Sequence, residues 1–232
     1  MRSTKKLSLF IIAGVLALGG CKKEKTAPEP EKPFDIKEHF VAFTFTPKSG
    51  PSKYTVVSFI QFLENNEALQ IGSSATNARG NYTLTKDSLI FEVTGGNGRT
   101  ARFSLDKDKK ITSAYYKASG PLEYETTGEL FPLAASNQLA GKTFKGDEQG
   151  MTPGTISRAG LIYSFNKADI ATYGSGTDAA AIDNTTNSYT LFGGNGFKST
   201  NSDGTELGFI SNKKLTVFRL KSLYFSGKYD QQ

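Results

Sequence analysis

Apolar and polar residues alternate along much of the chain after residue 34. The clearest runs cover residues 43–46, 89–93 and 101–105, where every second side chain is apolar. A period of two residues is typical of antiparallel strands with one face on a core and the other in water. Asn, Asp and Gly clusters separate the runs about every 8 to 12 residues, as turns do. The pattern therefore predicts an all-β fold.

Four short segments recur in the same order later in the chain. Residues 57–59, 81–84, 97–103 and 109–112 match residues 163–165, 188–191, 203–209 and 213–216. The offsets lie between 104 and 107. Matches that occur in the same order at nearly the same offset predict a duplicated unit. Gly-Gly-Asn-Gly also occurs twice, but its offset of 98 falls outside this alignment, so we interpret the pair as unrelated turns.

The duplication divides the body into two homologous domains. We expect β-domain copy 1 over residues 34–132, a linker over 133–141 and copy 2 over 142–232. Each copy has room for roughly six to eight short strands, arranged as an antiparallel β-barrel or β-sandwich. In the linker we expect one helical turn before a strand at Lys142–Lys145.

Four runs are apolar on both faces of the predicted strand: residues 56–63, 161–165, 215–220 and 223–225. Such strands are covered on both sides. One explanation is that they form the contact between the two copies or lie under a loop. The other is that they line a cavity for an apolar ligand.

The first twenty residues indicate export. Lys5 and Lys6 precede an apolar run from Leu7 to Gly20, whose 14 residues are too few for a helix that crosses a bilayer. The run ends in Leu18-Gly19-Gly20-Cys21, which resembles the lipobox of bacterial lipoproteins. The resemblance implies cleavage of a signal peptide, residues 1–20, and lipid attachment at Cys21. It also implies palmitate-type acylation and a cell-envelope protein on the outer membrane, with the periplasmic or surface face left open.

The composition of the mature chain excludes several kinds of bond and binding site. Cys21 is the only cysteine, so the body has no disulfide and no thiolate metal site. Residues 21–33 are mostly charged residues and proline, which predicts a disordered stalk. Removal of the signal peptide lowers the net charge from +6 to +3, and the stalk carries one of these three charges. The body is therefore nearly neutral, and its charge gives no indication of nucleic-acid binding, although the pI of the whole sequence is about 9.2.

Motifs for catalysis and cofactor binding are missing from the sequence. The single histidine, His39, has no second histidine for a metal site or a catalytic triad, and we expect it to be an exposed residue beside the first strand. The chain contains neither G-x-S-x-G nor a phosphate-binding P-loop. We expect no catalytic residues, no metal, no cofactor and no enzymatic activity.

The start of copy 2 resembles lipocalin-like domains. Gly141-Lys142-Thr143-Phe144 follows the predicted helical turn and precedes an up-and-down series of strands. Phe144 stands where that family has tryptophan, and the chain contains no tryptophan. The resemblance implies barrels whose interior can hold a small apolar molecule.

These observations predict a lipid-anchored envelope lipoprotein that acts as a non-enzymatic binding module for a small apolar ligand or a partner. The alternative is a scaffold protein that docks on another envelope protein through tyrosine-rich strand faces or an unpaired edge strand. Residues of the ligand site cannot be named from the pattern.

Overall fold

The computed structural model describes residues 33–96, 98–168 and 170–232. The predicted signal peptide, Cys21 and the stalk up to residue 32 lie outside this range. Antiparallel strands make up nearly all regular structure in the described part, with three short 3-10 turns at Ile36–Glu38, Glu64–Asn66 and Ala179–Ala181. The prediction of an all-β fold is confirmed.

The first sheet is a nearly closed barrel, here called barrel 1. Its described strands are β1 (His39–Pro47), β2 (Val56–Phe62), β3 (Glu67–Ile71), β4 (Ala78–Leu84), β5 (Ser88–Val93), β6 (Arg99–Leu105), β7 (Ile111–Lys117) and β8 (Tyr124–Pro132). They follow one another as an up-and-down meander, and β1 also pairs with β8. β7 and β8 lie side by side without belonging to a common ladder. The Tyr116 and Tyr124 rings pack against each other across this seam, with 5.6 Å between the ring centres.

The second sheet forms barrel 2. Its described strands are β9 (Thr143–Gln149), β10 (Ile156–Phe165), β11 (Thr172–Gly176), β12 (Asn187–Ser188), β13 (Thr190–Phe192), β14 (Gly196–Asn201), β15 (Gly204–Ser211), β16 (Lys214–Leu220) and β17 (Tyr224–Gln231). β12 pairs with β11 and β13 pairs with β14, so one strand interrupted at Tyr189 nearly closes this barrel. Ser199 Oγ donates a hydrogen bond to the Ser188 carbonyl across the closure, at 2.7 Å.

The two barrels have corresponding strand orders. In each, the first strand lies between the second and the last. The four matched segments fall on corresponding pairs of strands, namely β2 with β10, β4 with β12 and β13, β6 with β15, and β7 with β16. Gly95, Gly96 and Gly98 of the first Gly-Gly-Asn-Gly sequence lie between β5 and β6, whereas the second sequence lies between β13 and β14. These two connections do not correspond, which agrees with the interpretation of the sequences as unrelated.

Side-chain direction does not follow the residue matches everywhere. Phe59 faces the contact between the barrels, whereas its match Phe165 faces the interior of barrel 2. Phe103 points into barrel 1, whereas its match Phe209 lies at the contact. Because strand side chains alternate, a register difference of one residue moves a side chain to the other face.

Aromatic and branched side chains fill both interiors. The interior of barrel 1 contains Val41, Phe43, Ile60, Phe62, Tyr82, Leu89, Phe91, Phe103 and Tyr116, among others. The interior of barrel 2 contains Phe144, Leu161, Tyr163, Phe165, Tyr173, Phe197, Leu215 and Tyr229, among others. Each fully buried side chain of this size stabilises the fold by roughly 1.5 to 3 kcal/mol. Phe144, at the tryptophan position of the resemblance, is completely buried.

A third apolar cluster joins the two barrels, so that Asp35–Gln232 form one compact unit. Phe59 packs on Phe192 with 5.3 Å between the ring centres, and Phe131 packs on Phe209 with 6.0 Å between them. The two-faced runs at 56–63 and 215–220 contribute to this contact through side chains such as Val57 and Phe218. For these two runs, the explanation as a contact between copies is confirmed.

The linker contains no helix in the structure, so the expected helical turn is wrong. Residues 138–141 form a hydrogen-bonded turn in which Lys142 N–H donates to the Leu139 carbonyl at 3.0 Å. Asn137 Oδ1 accepts from Leu139 N–H at 3.0 Å.

Candidate functional site

A cleft in barrel 1 opens at the end of the barrel where β7 leads into β8. Its volume is about 390 Å³. The cleft, here called the barrel-1 mouth, is lined by Lys48, Tyr115, Tyr116, Lys117, Gly120, Pro121, Leu122, Glu123 and Tyr124. Volumes of roughly 300 to 1,000 Å³ suit small-molecule ligands. The chain enters the fold at the opposite end, where Ile36 packs into the barrel-1 core.

Local sequence explains why the mouth is open. Gly120 has φ of 122°, a conformation that side-chain-bearing residues rarely adopt, and it lets the chain turn between β7 and β8. Two large side chains stay exposed there, Tyr115 at 49% and Leu122 at 43%. Tyr116 and Tyr124 instead pack onto the barrel-1 core. The mouth therefore has an aromatic wall fixed by rigid strands and an apolar rim.

Beneath the mouth lies a small polar group of side chains centred on Gln70, which is 4% exposed. Its Nε2 donates to Ser58 Oγ at 3.1 Å and to Tyr116 Oη at 3.4 Å. Ser58 Oγ in turn donates to the Ile71 carbonyl at 2.9 Å. Arg99 reaches Gln70 Oε1 with one nitrogen at 3.5 Å, at the outer limit of a hydrogen bond.

Arg99 is poorly satisfied. Its Nε is buried and has no hydrogen-bond partner among the described residues, and the guanidinium has no ion pair among them. A guanidinium has five N–H donors, and buried donors are nearly always paired. Thr126 Oγ1 on β8 is likewise buried without a partner in the described part of the chain. Barrel 1 thus carries unsatisfied polar atoms at this end.

Barrel 2 has a charged cluster at its corresponding end, here called the barrel-2 ion cluster. Glu148, which is 1% exposed, accepts two hydrogen bonds from Arg219, both at 2.8 Å. It also accepts two from Arg158, at 2.9 and 2.7 Å. Arg219 further packs over the Phe225 ring, 4.1 Å from its centre. Burial raises the pKa of Glu148, but the hydrogen bonds from Arg219 and Arg158 outweigh it and lower the pKa overall.

A second carboxyl group, Glu206, completes the barrel-2 ion cluster. It is 1% exposed and accepts hydrogen bonds from Tyr163 Oη, at 3.3 Å, and from Tyr173 Oη. Burial raises its pKa above the usual value, because an ionised carboxylate loses its water there. Both carboxylates thus have their hydrogen-bond partners within barrel 2, and we therefore interpret the cluster as structural.

Two residues singled out in the sequence play no part in these sites. Cys21 lies outside the described residues. His39 is partly buried rather than exposed, and its Nδ1 donates to the Asp35 carbonyl at 2.8 Å. This contact fixes the entry of the chain into β1 and lies at the end of barrel 1 away from the mouth.

Sequence inspection missed the charged residues of both barrel ends, although a signal was present. Arg99 stands two residues before Ala101, on the apolar face of its strand. Glu206 and Arg219 likewise lie on faces that point into barrel 2. A charge on the inward face of an alternating strand predicts a buried ion pair or a ligand.

Within the described residues, no helix has the length and hydrophobicity needed to cross a membrane. No group of three or more His, Cys, Asp or Glu side chains there is arranged to hold a metal ion. Comparisons with protein-family models, with curated proteins and with solved structures find no match to this chain.

Proposed function

We propose that the protein is a lipid-anchored lipoprotein of the cell envelope that acts as a non-enzymatic binding module, with a small apolar ligand held in the barrel-1 mouth. The observation that carries the proposal is the aromatic-walled mouth beside a filled barrel interior. Since aromatic side chains occupy the interior, the ligand site lies at the mouth and not along the barrel axis.

The proposed anchor rests on the lipobox resemblance at Leu18–Cys21. Two or three acyl chains attached at one residue hold a protein on a membrane effectively permanently. Fractionation of cells that express Cys21→Ser tests it. The variant should move from the membrane pellet to the soluble fraction, and an unchanged distribution would contradict the anchor.

Native mass spectrometry of the full chain, extracted in mild detergent, tests the ligand site. We expect a stoichiometric small molecule on the wild type and its loss from Leu122→Asn, which makes the rim of the mouth polar. Ile156→Asn is the matched control, because Ile156 is also exposed, at 50%, but lies on β10 of barrel 2. Equal loss from both variants, or repeated absence of any bound molecule, would contradict the proposal.

A scaffold role is the second candidate, and the seam of barrel 1 favours it. β7 and β8 have no ladder between them in the described chain, so both present backbone groups that another strand can pair with. A photo-crosslinking residue at Thr112 on β7 should then capture one defined envelope protein. The same residue at Thr83, exposed on the doubly paired β4, is the control and should not.

A further inference from the structure

The unsatisfied state of Arg99 points to the chemistry of the ligand. Apart from the long contact to Gln70, its guanidinium has no hydrogen bond to any described residue. A partly buried cation without a counter-ion is costly, since it gives up hydration and gains no ion pair. Arginine matches carboxylate geometry particularly well.

Positive charge is in excess around the mouth. Lys48 is paired with Glu123 at 3.5 Å, whereas the side-chain ammonium of Lys117 has no ion pair or hydrogen bond to a described residue. Glu123 is thus the one acidic side chain that lines the mouth, against the cations Lys48 and Lys117, with Arg99 beneath them.

The position of Arg99 links this charge to the mouth. Gln70 hydrogen-bonds both Arg99 and Tyr116, and Tyr116 lines the mouth. Arg99 itself is partly exposed at the start of β6. Arg99 lies behind Tyr116 and Gln70 and not in the lining of the mouth, so a molecule that packs on Tyr116 meets this cation only with an end that reaches inward.

We propose that the barrel-1 mouth binds a monoanion with an aromatic or alicyclic body and a carboxylate group, and that Arg99 pairs with the carboxylate. The planar guanidinium of Arg99 matches the two oxygens of one carboxylate, and Lys117 adds positive charge at the mouth. The body of the ligand packs on the tyrosine wall and on Leu122. This inference rests on the proposed function and specifies its ligand.

Two probes that differ by one charge test the inference. The full chain in lipid nanodiscs is titrated calorimetrically with 2-naphthoate and with the neutral 2-naphthamide, against empty nanodiscs. Wild type should bind naphthoate about tenfold more tightly or better, as expected for a charge-assisted hydrogen bond. Arg99→Gln should weaken naphthoate binding by about the same factor and leave naphthamide within about twofold.

Arg102→Gln is the matched control, because Arg102 lies on the same strand but on the outer face, with a side chain 60% exposed. It should change neither affinity. Equal affinity of the wild type for the two probes, or retention of the preference for naphthoate in Arg99→Gln, would overturn the inference.

The same titrations distinguish a wrong charge assignment from the absence of a ligand site at the barrel-1 mouth. If both probes bind equally and Leu122→Asn weakens both, the mouth is a ligand site but the charge assignment is wrong. If neither probe binds, or if Leu122→Asn leaves both affinities unchanged, the mouth is not the site, and both proposals fail. Circular dichroism of each variant confirms that it is folded before titration.

Discussion

The corresponding ends of the two barrels differ in whether their inward-facing arginines are paired with a carboxylate. In barrel 2, Arg158 and Arg219 share the buried carboxylate of Glu148 through four short hydrogen bonds. In barrel 1, Arg99 has one long contact to a neutral amide. Similar topology therefore produces one end where two arginines share a buried carboxylate and one end where a partly buried arginine has no ion pair among the described residues.

This difference distinguishes a charged side chain that stabilises the fold from one that is available to bind a ligand. A charge that the fold itself neutralises contributes to folding, and its removal leaves a partner stranded. A charge that the fold leaves without a partner contributes little to stability and is available to a ligand. Positions that lower stability without a packing reason are commonly functional.

The largest effect is expected from Glu148→Gln, which removes the shared carboxylate of the barrel-2 ion cluster. Arg158 and Arg219 would then be partly buried cations with no carboxylate between them. Loss of one member of a buried ion pair costs about 3 to 5 kcal/mol. Urea unfolding at pH 7, followed by circular dichroism, measures the free energy of unfolding.

Glu92→Gln is the control for this substitution, since Glu92 is exposed and 3.8 Å from Arg102. Exposed pairs contribute about 0 to 1 kcal/mol, so the variant should unfold like wild type. If Glu148→Gln also changed the stability by less than 1 kcal/mol, the barrel-2 ion cluster would not hold that end together.

Glu206 should make stability depend on pH. Its pKa in the folded protein is raised by burial, so between the usual value of 4.5 and the raised value the folded state holds a proton that the unfolded state has released. Stability should therefore fall as pH rises through this window, by at most about 1.4 kcal/mol per pH unit.

Comparison of wild type with Glu206→Gln across pH 5 to 8 isolates this effect. The amide cannot ionise and still accepts from the tyrosines, so the variant should gain stability relative to wild type as pH rises. Because the pKa of Glu148 is lowered, its contribution is constant above pH 5 and does not obscure the trend. A difference that stays the same at every pH would show that Glu206 does not titrate in this window.

The smallest change in stability is expected from Arg99→Met. The variant removes an unpaired cation and keeps most of the side-chain volume, so the free energy of unfolding should stay within about 1 kcal/mol of wild type or rise. The same substitution at Arg219 should cost about 3 kcal/mol or more, since Glu148 loses a partner. Similar losses at both positions would remove the distinction between the two barrel ends.

Strand periodicity predicts a good part of this fold. Alternation at 89–93 and 101–105 identified inward-facing residues such as Phe91 and Phe103, which are 0% and 1% exposed. The two-faced run at 56–63 correctly indicated cover on both sides. The alternation of apolar and polar residues depends only on which face of the strand is buried, so it can be read directly from the sequence of that strand.

Other features depend on contacts that the sequence does not state. Phe103 and Phe209 lie on corresponding strands but face different sides of their sheets, because a one-residue shift of register reverses the direction of a side chain. Glu148 and Arg219 are 71 residues apart in sequence, and their pairing follows from the meeting of β9, β17 and β16. Arg99 was missed because an unsatisfied donor is recognised only when all its neighbours are known.

Hydrogen–deuterium exchange of the full chain, with and without saturating 2-naphthoate, tests the location of binding most directly. Ligand at the barrel-1 mouth should slow exchange in peptides that cover 115–124 and 99–102, and leave the barrel-2 segments 147–160 and 203–219 unchanged. Protection confined to barrel 2, or no protection in either barrel, would contradict a ligand site at the barrel-1 mouth.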